Sequence, residues 1–91
     1  MSVPGIDCVW KRIVALEGQG FHTISGKPFT YSVDGDAFIP SRTDYRLSKG
    51  NLAKALAFVP FAGPGVVNQL VRGPAYVWAV LHDARVREMD W

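Results

Sequence analysis

The sequence predicts a small α+β domain: an N-terminal helix, a three-stranded antiparallel meander, then two or three helices packed on one face of the sheet. Three observations predict it. Apolar residues recur at helical spacing over 7–17, they alternate in strand fashion over 29–39, and helical patterning returns after Ser48 and after Pro74.

In the first helix Ile6, Val9, Trp10, Ile13 and Leu16 share one face, while Lys11, Arg12 and Glu17 fall largely outside it. Asp7 is positioned to cap this helix. Gly18 and Gly20 are positioned to stop it, because glycine accepts the left-handed backbone that follows a helix end. Residues 21–24 form a short strand, and Ser25-Gly26-Lys27-Pro28 is turn chemistry. Phe29, Tyr31 and Val33 then alternate with Thr30 and Ser32, the pattern of a half-buried strand. Asp34-Gly35 is a two-residue hairpin signal, 36–39 is the return strand, and Pro40 stops it.

Residues 41–47 are polar and fit either a loop or a short further strand. Ser48 caps a second helix, with Leu52, Leu56 and Val59 on one face and Ala55 beside them, and Pro60 ends it. Residues 60–65 are a loop rich in proline and glycine, and 66–71 fit either a helix or a strand. Gly73 breaks the pattern. Pro74 suits the first position of a helix whose residues 75–81 are apolar almost all round, as in the buried centre of a small fold. The tail 82–91 is mixed in charge and either extends that helix or frays.

A chain of 91 residues is one domain, 1–91. That length can bury about two-thirds of the unfolded surface, enough for a core without covalent staples. The apolar content of 48% and charged content of 20% describe a globular chain rather than a disordered one. A net charge of +2 is small, so the distribution of charge matters more than its sum. Cys8 is the sole cysteine, which excludes an internal disulfide and fits a reducing compartment. The N-terminus lacks a charged leader followed by an apolar stretch, and the longest apolar run is too short to span a bilayer. A cytoplasmic protein with no membrane partner is expected.

The stretch 41–54, SRTDYRLSKGNLAK, carries the most chemical information. It sets Arg42, Arg46, Lys49 and Lys54 against one acid, Asp44, and leads into a helix whose first turn offers N–H groups to an anion. Arg42 and Arg46 supply fork-shaped phosphate contacts, and Lys49 and Lys54 supply charge. Ser48 and the nearby amides fix register. Thr43 and Asn51 offer neutral hydrogen bonds, and Tyr45 offers a ring to stack on a base or sugar. In the plainer reading Ser48 is only a cap, Asp44 pairs with Arg42 or Arg46, and the remainder is a solvated loop. Fold position decides whether Lys11, Arg12 or Arg72 joins these cations on one face.

A rival site is apolar. Trp10, Trp78, Trp91, Phe58 and Phe61 are many large groups for a short chain, and a surplus forms an exposed patch. Phe58 and Phe61 flank Pro60 and Trp91 is terminal, so these three are the patch candidates, for a protein partner or for self-association.

The other sets are weaker. Lys27 with Phe29 and Tyr31 has the makings of a stacking platform, but an alternating strand needs an apolar face for its core. Cys8 and His22 have nucleophile chemistry without a nucleophile motif, and His82 with Asp83 lacks metal-ligand spacing. Gly63-Pro64-Gly65 and Gly26-Lys27-Pro28 complete no phosphate loop. A helix-turn-helix over 52–71 has too long a connection, though a winged variant using the 29–39 hairpin stays open. The expectation is a non-enzymatic binding module without cofactor or metal, engaging nucleic acid through the basic segment. The alternative is a protein-interaction or accessory module using the aromatic patch.

Overall fold

A computed structural model describes residues 3–43 and 45–91. Helix α1 (Ile6–Ala15) buries Val9, Trp10 and Ile13, the stripe its periodicity predicts. Its cap is Gly5. Asp7, expected there, lies in the first turn instead, where a carboxylate suits the helix dipole. Gly18 takes a left-handed φ of 84° after the helix end, and its N–H donates to the Tyr31 carbonyl.

Five strands follow among the described residues. β1 (Phe21–His22) pairs antiparallel with β2 (Pro28–Phe29), and β3 (Tyr31–Asp34), β4 (Ala37–Pro40) and β5 (Leu47–Ser48) form a three-stranded antiparallel sheet. The expected three-stranded sheet is present, with one member exchanged. The strand expected at 21–24 pairs with β2 alone, and Leu47–Ser48 supplies the third strand. The chain changes partner at Thr30, whose N–H donates to Ser41 Oγ while its carbonyl accepts from the Ser41 N–H. Alternation survives the change, so Phe29 and Tyr31 are both buried. The hairpin loop is Gly35-Asp36, one residue beyond the expected pair, since Asp34 faces Ala37 in register. Gly35 has φ 61°, the positive value that a two-residue loop of this kind requires at its first position.

Helix α2 (Lys49–Leu56) is capped as expected: Ser48 Oγ accepts the Asn51 N–H at 3.0 Å. Residues 66–71 are neither strand nor α-helix. A 3-10 turn (Pro64–Val67) and further turns bury Val67 and Val71. Helix α3 (Pro74–Leu81) starts on Pro74, and α4 (Ala84–Arg87) is capped by Asp83. The mostly apolar α3 contacts α2, α4, β1 and the 3-10 turn, which is why it needs almost no polar face.

An aromatic chain joins the two sheets to the helices. Ring centroids are 6.0 Å apart for Phe29 and Phe21, 5.2 Å for Phe21 and Tyr31, and 4.4 Å for Tyr31 and Phe38. Tyr76 of α3 meets Phe29 edge-on at 5.0 Å. The Tyr31 hydroxyl donates to the Ile13 carbonyl and so fastens β3 to α1; burial raises its pKa and keeps it a donor.

Candidate functional site

The basic segment runs from the end of β4 through β5 into α2. Asp44, the acid expected to pair with Arg42 or Arg46, lies outside the described residues. Arg46 pairs with Asp34 at 2.9 Å. Arg42 Nη1 donates to the Pro28 carbonyl at 3.3 Å, a long bond on the surface. Lys49 Nζ lies 2.6 Å from Asp7 and links α2 to α1. Their hydrogen bond holds the Asp7 carboxyl below its ordinary pKa and the Lys49 ammonium above its own. Lys54 is exposed and has no ion pair among the described residues.

The polar members are engaged with the fold itself. Thr43 Oγ1 accepts the Tyr45 N–H at 3.0 Å, and Tyr45 is left 45% exposed. The first turn of α2 was expected to present N–H groups to an anion. Two of them are engaged within the fold: the Lys49 N–H donates to the Asp36 carbonyl at 2.8 Å, and the Asn51 N–H is held by Ser48. Both ends of the Asn51 amide are occupied as well. Its Nδ2 donates to the Arg72 carbonyl at 3.0 Å, and its Oδ1 accepts the Arg72 N–H at 2.8 Å. Asn51 therefore positions a distant turn rather than offering a surface hydrogen bond.

That turn brings Arg72 to the start of α2. Gly73 follows with φ 58° and sits against Leu47 of β5, so close that a Cβ there would lie 2.9 Å from Leu47 Cδ1. Spacing in the sequence left the place of Arg72 open. The signal was the tripeptide Arg72-Gly73-Pro74, in which glycine permits the left-handed turn and proline begins α3.

The guanidinium groups of Arg12, Arg85 and Arg87 are engaged elsewhere in the fold. Arg12 Nη1 donates to the Val86 carbonyl at 2.9 Å, while its Nε and Nη2 pair with Glu88 at 2.8 Å and Asp90 at 2.7 Å. The hydrogen bond to Asp90 raises the Arg12 pKa. Arg85 lies 4.4 Å over the Phe21 ring, donates to the Gly20 carbonyl at 2.7 Å and pairs with Asp83. Arg87 donates to the Trp91 carbonyl. Arg12 and Arg85 fasten α4 and the tail to the body of the fold and Arg87 ties the tail to α4, so Arg12 does not join the basic segment.

No family model, curated protein or solved structure matches the chain.

The aromatic patch is smaller than expected. Phe61 is only 8% exposed and belongs to the core. Its backbone is clamped to α3: the His82 ring accepts its N–H at 3.1 Å, and Trp78 Nε1 donates to its carbonyl at 3.1 Å. Trp91 packs half-buried against the core, with its indole N–H donating to the Leu81 carbonyl at 2.7 Å. Phe58 alone of the three stays open, at 49%. Beside it in sequence, Ala57 and Val59 line an apolar groove of about 400 Å³ together with Val3, Pro4, Ile6, Ala53 and Leu56.

The other sets do not assemble. Phe29 and Tyr31 are core residues, so no stacking platform forms beside Lys27. Cys8 is exposed on α1 and His22 on β1. His82 turns to Phe61 and Trp78, while Asp83 turns to Arg85. The chain after α2 enters a 3-10 turn rather than a recognition helix. Among the described residues, no three His, Cys, Asp or Glu side chains group to hold a metal ion, every buried side-chain N or O atom has a partner, and no helix is long and apolar enough to cross a membrane.

Proposed function

We propose that the protein is a non-enzymatic module that binds the phosphate backbone of nucleic acid through Arg42, Arg46, Lys49, Lys54 and Arg72. One observation carries this reading: the cations divide by how firmly the fold holds them. Arg12 and Arg85 are tied by several bonds each. The cations around β5 and the start of α2 are held by single surface contacts or, among the described residues, by no ion pair. An exposed ion pair is worth about 0–1 kcal/mol, so Arg46 can exchange the Asp34 carboxylate for a phosphate at little cost, while the half-buried Lys49 adds its charge from beside Asp7. Tyr45 adds an exposed ring between Arg42 and Arg46 in sequence. Ser48 and Asn51 shape the surface through hydrogen bonds within the fold rather than touching the ligand.

The test is fluorescence anisotropy with a labelled duplex DNA, single-stranded DNA and RNA of one sequence, at low and moderate salt. Salt-sensitive binding is expected, and its salt slope should fall by about 1 for each phosphate contact removed in an Arg46→Ala, Arg72→Ala double variant. Asn51 holds Arg72 by its backbone, so the variant keeps the turn and its melting temperature. Absence of binding to all three probes, or a double variant that binds like wild type, sinks the proposal.

The apolar groove beside half-exposed Phe58 favours a second reading, docking of a protein or a second copy. Sedimentation velocity across a wide concentration range tests self-association. A profile that stays monomeric argues against a second copy as the occupant.

A further inference from the structure

We propose that His82 is a pH-sensitive latch: its neutral ring holds the 58–63 loop on α3, and protonation releases that loop. The tautomer follows from the hydrogen bonds. The Phe61 N–H donates to Nε2 at 3.1 Å, so Nε2 carries no proton. Nδ1 lies 2.9 Å from the Trp78 carbonyl, so Nδ1 carries the proton and donates it. A neutral imidazole satisfies both partners at once. The ring is also fixed in place, stacked 5.2 Å from Trp78 at 18° and edge-on to Phe61 at 4.7 Å.

Protonation affects only one of the two bonds. An imidazolium still donates from Nδ1 to Trp78, four residues back on the same helix. At Nε2, however, it sets an N–H against the Phe61 N–H, and two donors repel. The loop must move, since the ring is anchored to its own helix. One hydrogen bond between Phe61 and α3 then remains, from the Trp78 indole to the Phe61 carbonyl, beside the packing of the Phe61 ring. The side chains that emerge are apolar, Phe61 above all.

Among the described residues, no nearby acid offsets the added charge. The loop and the 3-10 turn carry no ionisable side chain, and α3 carries only Tyr76. On α2, Lys49 is turned to Asp7 and Lys54 is exposed. On the α4 side Asp83 is engaged by Arg85, Glu88 and Asp90 by Arg12, and Arg87 opposes a positive charge on His82. Burial acts in the same direction as Arg87.

The test is an NMR titration of the whole chain from about pH 7.5 to about pH 5, following the His82 ring, the Phe61 amide and the Trp78 indole N–H. The Phe61 amide and Trp78 indole signals should move with the His82 ring, and the hydrogen-exchange protection of the Phe61 amide should fall about tenfold while far-UV circular dichroism holds. In His82→Gln, which keeps an acceptor without titrating, the two signals should stay still. The wild-type titration, read against the His82 ring itself, decides the matter even if the variant folds poorly. Phe61 and Trp78 signals that ignore the ring's protonation, or that move only with loss of the circular dichroism signal, overturn the latch.

Discussion

Gly73→Ala tests the turn that delivers Arg72 to the basic surface. Two costs are legible there. Gly73 has φ 58° and ψ 47°, the left-handed region, which costs an L-residue about 1–2 kcal/mol. The new methyl would also lie 2.9 Å from Leu47 Cδ1 and 3.3 Å from Cδ2. Leu47 is 1% exposed, so its side chain cannot swing into solvent to make room. Overpacking of this kind costs about 1–3 kcal/mol. The sum is about 2–5 kcal/mol, against a total of about 5–14 kcal/mol for a chain of this length. Melting should fall by about 10–30 °C, read by circular dichroism at fixed pH and salt. Gly20→Ala is the control: its φ is not in the left-handed region and nothing lies within 4 Å of its Cβ position, so it should be neutral or slightly stabilising. The clash can be separated from the strain by adding Leu47→Ala. The double variant should then be more stable than the two single changes predict, by about 1–3 kcal/mol. A Gly73→Ala variant that melts within about 3 °C of wild type, or a strictly additive cycle, refutes the close-approach argument.

Other outcomes follow from the same contacts. Tyr31→Phe removes the donor to the Ile13 carbonyl and should cost about 1–2 kcal/mol in urea unfolding; no change in midpoint would mean that water replaces the hydroxyl. Arg12→Ala strips α4 and the tail of their tie to α1 and should cost about 1–3 kcal/mol, less in high salt, with the earliest hydrogen exchange in 84–91. Asn51→Asp leaves an acceptor facing the Arg72 carbonyl and should destabilise more than Asn51→Ser; the reverse order of melting temperatures would deny the clamp. His82 makes stability depend on pH. Burial lowers its pKa below the ordinary 6.5, so the unfolded chain binds the proton first as pH falls. The contribution is complete above about pH 6.5 and is lost as pH drops from there through the lower folded value. His82→Gln should remove that part of the pH slope, and an unchanged slope would remove His82 as its source.

The elements legible in the sequence are those in which one local rule acts unopposed. Ser48 caps α2 because nothing competes for its hydroxyl, and Pro74 starts α3 because Gly73 before it can turn left-handed. The strand pairing was harder to read for a physical reason. Alternation fixes which face a residue takes, but not which strand it pairs with, and the strand from Pro28 to Asp34 keeps one buried face while changing partners at Thr30. Burial of Phe61 was illegible because it depends on His82 and Trp78, about twenty residues away in sequence. Charge was the least legible property. A run of cations shows that charge is present, and only the fold shows which carboxylate lies across from each.

Asn51 shows why that distinction governs the functional reading. An amide in the first turn of a helix, between Lys49 and Lys54, has the composition of a nucleic-acid contact. The fold uses it differently: the Arg72 peptide group meets both ends of the amide, as a strand partner would. A side chain whose donor and acceptor are both engaged cannot take a ligand without releasing the turn it holds. Asn51 thus contributes to the basic surface indirectly, by holding a cation from twenty-one residues away beside those on its own segment. The consequence is a specific ordering of variants. Arg72→Ala removes one charge and keeps the turn, whereas Asn51→Ser loosens the turn and leaves the charge without a fixed position. If the surface binds phosphate, Arg72→Ala should reduce the salt slope without altering stability. Asn51→Ser should weaken binding and lower the melting temperature together. Equal melting temperatures with unequal binding would assign Asn51 the direct contact that its hydrogen bonds deny it.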